Sequence, residues 1–269
     1  MIYDSSNKKN PAIEEIFEAF RYRDLIGQLI RRDLTTRYKR SVLGIIWTML
    51  HPLGLMIIMT LVFQNLFHRQ EFYSVYVLTG LLTFGFFNQT SSTIIRNLTW
   101  GAELFQRIYI PRASFAIAAV GTAIINLVLS VVPLLLVKLI IQSPISWQVV
   151  LFPISVVYLA CFSLGMGLIV SSIALYFHDV AEFYQVLLTA WMYATPIIYP
   201  YDTLPDSVKQ IMVFNPMMHI VELMRASFYY VDKTPSLSEL LLVAAISSIT
   251  LIVGWFLFAR QAEQFVLRG

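Results

Sequence analysis

Residues 113–137 read ASFAIAAVGTAIINLVLSVVPLLLV, a run without Asp, Glu, Lys or Arg that starts after Arg112 and stops at Lys138. Coiled as an α-helix it rises about 37 Å, enough to cross a hydrocarbon core of roughly 30 Å. A helix on the surface of a soluble domain carries charge on its water-facing side, and this segment has none to present. The pattern repeats along the chain. Arg40 to Arg69, Glu71 to Arg96, Lys138 to Asp179, Glu182 to Asp202 and Glu239 to Arg260 all bracket stretches free of the four charged types. These runs predict six spans, at 43–67, 73–95, 113–137, 148–177, 183–200 and 240–259. The stretch 139–178 is too long for one crossing, and the cluster Gln142, Ser143, Pro144, Ser146 and Trp147 marks the turn that precedes span four. The chain thus divides into an N-terminal arm (1–42), a six-helix domain (43–259) and a short tail (260–269).

Composition agrees with an all-α integral membrane protein. Hydrophobic residues make up 58% and charged residues 13%, with a mean hydropathy of +0.69, more apolar surface than one soluble core hides. Residues 1–10 are polar, so no cleavable signal peptide is read at the start. The single cysteine, Cys161, lies in an apolar run; it forms no intrachain disulfide and belongs to no Cys/His metal spacing. A small packing residue and a reactive thiol both remain open for it. Orientation follows from Lys and Arg. Fourteen of the nineteen fall in the arm, the 96–112 loop and the tail, against five at Arg69, Lys138, Lys209, Arg225 and Lys233. The positive-inside rule places both termini in the cytoplasm.

The segments outside the spans carry their own pattern. Ile13, Ile16, Phe17 and Phe20 share one helical face, with Asn10 and Pro11 as cap and first turn. A second stretch sets Leu25, Ile26, Leu29 and Ile30 against Arg31, Arg32, Arg37, Lys39 and Arg40, an amphipathic helix expected to lie flat at the inner interface. Between spans five and six, residues 201–238 are punctuated by Pro205, Pro216 and Pro235. Within them Met217–Tyr230 is too short and too charged to span, and Glu222 and Arg225 stand at i,i+3, placed to pair on one face. Such a segment is tolerated at membrane depth when packed on protein or lining a cavity, which predicts a re-entrant helical hairpin at the outer mouth.

Residues 37–53, from Arg37-Tyr38-Lys39-Arg40-Ser41-Val42-Leu43-Gly44 through Ile45-Ile46-Trp47-Thr48-Met49-Leu50-His51-Pro52-Leu53, resemble the opening of the ABC-2 type polysaccharide export permeases, the membrane subunits of O-antigen, capsule and teichoic-acid exporters. Three further stretches resemble the same family in the same order. They are Glu103-Leu104-Phe105-Gln106-Arg107-Ile108-Tyr109-Ile110-Pro111-Arg112; Asp179-Val180 followed by Gln185, Trp191, Tyr193, Thr195-Pro196 and Tyr199-Pro200; and Asn215-Pro216-Met217 leading to Arg225. The likeness runs from about residue 21 onward. His178 departs from it, standing where an arginine is expected.

The resemblance implies a homodimer in the bacterial inner membrane, two separate ATPase subunits that hold ATP and Mg, and a lipid-linked polysaccharide as cargo. Neither nucleic acid nor a cofactor in this chain is implied. The residues support one part independently, since no G-x-x-x-x-G-K-[ST] phosphate loop occurs here. Residues 98–112 resemble the family's coupling helix, with Glu103 and Arg107 at i,i+4 and Phe105, Ile108 and Tyr109 as apolar anchors; an inter-span loop held by its own ion pair is the plainer reading. Asp179 belongs to the second cytoplasmic turn. Aromatic rings suit a sugar conduit because they stack on C–H faces, and Trp47, Phe84, Phe86, Phe87, Trp191, Tyr193, Tyr199 and Tyr201 are available. Interfacial belts and packing explain the same rings. Asn215, Pro216, Glu222 and Arg225 mark the external gate. His51, beside Pro52, is the intramembrane ionisable residue, read either as functional or as a neutral donor at a proline kink. Gly121, Ser130, Gly165, Gly167, Ser171 and Ser172 read as helix-packing positions.

Other functions predict other residues. A gradient-driven transporter needs carboxylates or bases within its spans, and a membrane-embedded glycan enzyme needs paired acids, for which Asp202, Asp206, Glu222 and Asp232 are the supply. An ABC-2 exporter of a lipid or drug shares the motifs with a glycan exporter.

Overall fold

The computed structural model describes residues 21–39, 41–67, 70–99, 111–177, 179–230 and 234–261. Among them the secondary structure is helical throughout, without strands. In chain order the helices are α1 (Arg23–Tyr38), α2 (Ile46–Phe63), α3 (Tyr73–Thr99), α4 (Ala113–Ile140), α5 (Phe152–Ala174, preceded by the 3-10 turn Trp147–Leu151), α6 (Asp179–Tyr193), α7 (Asp206–Met212), α8 (Pro216–Phe228) and α9 (Leu237–Gln261). Four of the described segments are long and apolar enough to cross a membrane: α2, α4, Trp147–Ala174 and α9.

The polar exception, α3, sits at the centre. Its second half contains Asn88, Gln89, Thr90, Ser91, Ser92 and Thr93, yet most of the helix is buried between α4, α5 and α8. Protein rather than lipid surrounds it, so its hydroxyls need partners, and several find them one turn back, although Thr90 Oγ1 is buried without one. Thr79 donates to Val75 O, Thr83 to Thr79 O and Ser91 to Phe87 O, each at 2.8 Å. The reverse holds for α2. It is strongly apolar, but Met56 alone of its residues is buried, which leaves Trp47, Ile57, Ile58, Leu61 and Val62 on an open face. His51 also stands exposed on α2, not buried within the chain, and the helix continues through Pro52.

The sequence lays the apolar face of residues 25–30 on lipid; the structure lays it on protein. Leu25, Ile26, Leu29 and Ile30 pack on Phe115 and Ala118 at the start of α4. Gly121 makes room for them, since a Cβ there would fall 2.5 Å from Ile30 Cδ1. The amphipathic stretch over 13–20 lies outside the described residues. Replacing Leu29 with Glu puts a carboxylate into this contact, and about 2–3 kcal/mol of local stability is expected to go. Trypsin should then cut at Arg31 and Arg32 well before the wild-type chain is nicked there.

The tightest crossing joins α5 to α9. A Cβ on Gly165 would lie 2.5 Å from the Thr250 carbonyl, and one on Gly254 would strike the Gly165 carbonyl. Gly167 faces Ile94 of α3, and Ser130 Oγ donates to Thr48 O of α2 at 3.3 Å. The packing role read for these small residues matches where they lie.

Candidate functional site

The predicted span 183–200 is helical only to Tyr193, and residues 194–199 are irregular. The cause is Thr195-Pro196: proline lacks an N–H, and the residue before it is pushed out of helical geometry. The break leaves carbonyls unpaired inside the bundle, a cost of several kcal/mol each in apolar surroundings unless donors reach them. Side chains of α3 and α8 supply those donors. Tyr73 Oη donates to Ile198 O at 2.6 Å, and Tyr76 Oη lies 3.2 Å from Pro196 O and 3.1 Å from Tyr199 O. Arg225 Nη2 donates to Ile197 O at 3.2 Å. Gly80 permits this approach, because a Cβ would meet Arg225 Nη2 and Ile197 Cγ2 at 3.1 Å.

Arg225 is the largest fully buried side chain described, at 0% exposure. Its guanidinium lies 3.5 Å from the centre of the Tyr76 ring, and Nη1 donates to Glu222 Oε1 at 2.8 Å. The i,i+3 pairing expected from sequence therefore forms. Tyr230 Oη donates to the other Glu222 oxygen at 2.6 Å. Burial, and then the adjacent carboxylate, push the Tyr230 phenol well above its ordinary range, so it stays a donor.

Both ends of α8 are tied to other elements. At its start Asn215 caps the helix, Oδ1 accepting from Met217 N at 3.1 Å, with Pro216 in the first turn. The same Oδ1 accepts from Trp191 Nε1 at 2.8 Å, while Nδ2 donates to Ala194 O and Thr195 Oγ1, both at 3.1 Å. One amide thus joins the end of α6 to the beginning of α8. At the other end the Lys138 ammonium donates to Phe228 O and to Ser143 Oγ, a cation on the negative end of a helix. The Gln148 amide, oriented with its nitrogen toward the carbonyls, donates to Tyr230 O at 2.6 Å and Ala226 O at 3.1 Å. Asn215→Ala is expected to lower stability by about 1–2 kcal/mol, read as an earlier unfolding midpoint of the purified chain.

The remaining predicted residues fall in different places. Phe84 and Phe87 are core residues; Phe87 packs on Phe162 and Trp191 with ring centres 5.4 and 5.2 Å apart. Trp191 is half-buried, Trp47 and Tyr193 are exposed, and Tyr199 and Tyr201 are partly covered. Asp179 opens α6, where with Glu182 it complements the helix dipole. Glu103, Leu104, Phe105, Gln106, Arg107, Ile108 and Tyr109 lie outside the described residues. Sequence reasoning missed Tyr73, Tyr76, Lys138 and Gln148. Lys138 had a signal, a lone cation ending an apolar run, but it was read as a topological charge.

Helices of membrane-spanning length, a helix broken at Thr195-Pro196 and a short buried helix held by an internal ion pair define a polytopic membrane protein with irregular backbone sealed inside. Residues 24–229 match the family described as ABC-2 type transporter. The chain is 30% identical over 257 residues to the O-antigen export system permease protein RfbA of Myxococcus xanthus, covering 94% of this chain and 98% of that one. It is 25% identical over 250 residues to the polysialic acid transport protein KpsM of Escherichia coli (88% and 93% covered). With the capsule polysaccharide export inner-membrane protein CtrC of Neisseria meningitidis serogroup A it shares 22% over 249 residues (89% and 91%). The chain belongs to the ABC-2 type transporter family, and that membership implies an ATPase subunit as partner.

Proposed function

We propose that this chain is the permease subunit of an ATP-driven exporter that carries lipid-linked polysaccharide (O-antigen, capsule or teichoic acid) across the bacterial inner membrane. The observation that carries the reading is the likeness to an O-antigen export permease over 94% of this chain and 98% of that relative. In this reading α3 and α6, with the irregular residues after Tyr193, complete six spans, and α7–α8 form the re-entrant hairpin on the outer side. Both termini are cytoplasmic. Two copies of the chain face each other, and two ATPase subunits bind ATP and Mg.

The coupling helix within 98–112, with Glu103–Tyr109 and nearby Asp179, seats in the ATPase. Closure of the ATPases on ATP moves that segment and tilts spans one and five. Asn215 passes the movement of α6 to α8, because it bonds both. Trp47, Tyr193, Tyr199 and Tyr201 meet the glycan, while the buried Phe84 and Phe87 support Trp191 from behind. A covalent lock between α8 and α3 should stop export and leave nucleotide binding intact; continued export would sink the gating role.

The test of the function is lipid-linked glycan on each face of the inner membrane, in cells with and without the chain. Accumulation inside with loss of surface glycan is expected. Unchanged glycan on both faces would point instead to a lipid or drug as cargo, and altered length or linkage without accumulation to an enzyme.

A further inference from the structure

A cavity of about 460 Å³ lies between the 200–202 turn, α8 and the first turns of α9, within the range of roughly 300–1,000 Å³ typical of small-molecule sites. Of the residues assigned above to meet the glycan, only Tyr201 lines it. Tyr76, Tyr201, Tyr229 and Tyr230 all line it. Tyr229 crosses Tyr76 edge to face at 5.2 Å and Tyr230 at 5.0 Å, so the rings form a continuous angled wall.

All four phenols are already engaged by the protein, Tyr201 through Lys209 O at 3.5 Å. Tyr76 bonds the 196 and 199 carbonyls, Tyr229 donates to Glu71 O at 2.8 Å, and Tyr230 donates to Glu222. What these side chains offer a ligand is ring surface, whose electron-rich faces attract polarised C–H groups. Hydrogen-bond acceptors come from elsewhere on the wall: the carboxylate of Asp202, that of Glu239, whose Oε2 already accepts from Ser236 N at 2.8 Å, and the amide of Gln70, whose nitrogen is committed to Tyr229. Glu222 also reaches the cavity, but its charge is balanced by Arg225. Arg225 itself has no accessible surface. The described wall is therefore aromatic, rich in acceptors and net negative. Among the described lining residues, His219 apart, a phosphate, sulfate or uronate meets the carboxylates of Asp202 and Glu239 and no accessible lysine or arginine. A ring with apolar C–H faces and a rim of hydroxyl or ammonium donors meets partners on every side.

We propose that this cavity is a saccharide-binding site for a neutral or amino-bearing pyranose unit. The inference rests on the glycan-export reading, and it adds a docking point beside the gate: a sugar held between Tyr230, Asp202 and Glu239 joins α8 to its neighbours. A free saccharide and a unit of the exported chain share this chemistry.

The experiment uses the full chain with its ATPase partner in lipid nanodiscs, titrated with methyl glucoside, methyl galactoside, N-acetylglucosamine and glucosamine, and read by saturation-transfer NMR. Glucose 6-phosphate and glucuronate are the anionic comparators. Saturable binding of at least one uncharged or amino-bearing sugar is expected, with both comparators at least about tenfold weaker. Tyr201→Ala should weaken binding about tenfold through lost ring contact, and the isosteric Asp202→Asn should remove any preference for glucosamine over glucose. Absence of saturable binding, comparators binding as tightly, or affinities indifferent to both substitutions would overturn the site. If Asp202→Asn also slows export of the long glycan, the unit bound belongs to the exported chain; if export is unchanged, the site serves free saccharide. Cells lacking the chain separate the two readings. Export that depends on the chain without sugar binding removes this inference alone, whereas binding without any glycan phenotype removes the export reading and leaves the site.

Discussion

Arg225→Leu is expected to cost about 3 kcal/mol of folded stability and to abolish export. The substitution preserves apolar bulk but strips three partners at once. Glu222 loses its cation at 2.8 Å, the Ile197 carbonyl loses a donor at 3.2 Å, and the Tyr76 ring loses the guanidinium above it. Removing one member of a buried pair typically costs about 3–5 kcal/mol. The lower end applies here because Glu222 keeps 24% of its side chain exposed and hydrates once unpaired. Lysine is no substitute, since one ammonium cannot bond Glu222, reach Ile197 O and stack flat on Tyr76 together. Glu222→Gln should be milder than Arg225→Leu, because its amide oxygen still accepts from Arg225. Unfolding midpoints of the purified variants check the order. An Arg225→Leu chain as stable as wild type would show that the buried cation does not hold α8 in place.

Gly165→Leu is expected to be still less tolerated. Where α5 crosses α9 the backbones touch, and the first added carbon would already lie 2.5 Å from the Thr250 carbonyl. Flexible side chains can yield to overpacking at a cost of about 1–3 kcal/mol; a carbonyl inside a helix cannot move without moving the helix. In a bilayer, helix association depends on such close packing, because lipid is as apolar as leucine. We expect loss of monodisperse protein from detergent extracts and little chain in the membrane. Gly85→Ala is the control, since nothing lies within 4 Å of a Cβ there. It should extract normally, and if Gly165→Leu does too, the α5–α9 crossing is not a determinant of assembly.

The amino-acid sequence alone marked the four apolar segments that form helices of membrane length, though the charge-free run 183–200 is helical only to Tyr193. Charge-free runs are local, and the cost of exposing a backbone to hydrocarbon leaves them one regular structure. Residues 113–137 therefore reappear as the core of Ala113–Ile140, and 240–259 as that of Leu237–Gln261. Thr195-Pro196 carries its break locally, because proline lacks the N–H a helix needs, and the Glu222–Arg225 pair was legible because it depends only on helical spacing. Only the tertiary structure decided what surrounds each element. Lys209 and Arg225 read alike as outer-side cations, yet Lys209 keeps contact with water beside Asp206 while Arg225 is sealed against Tyr76. Lys138 reads as a topological charge and proves to close the end of α8 from 90 residues away. Phe84 and Trp47 both read as aromatic wall, but one is enclosed by the bundle and the other stands outside it. Burial depends on partners brought together from distant parts of the chain, and neither spacing nor hydropathy within one segment encodes who those partners are.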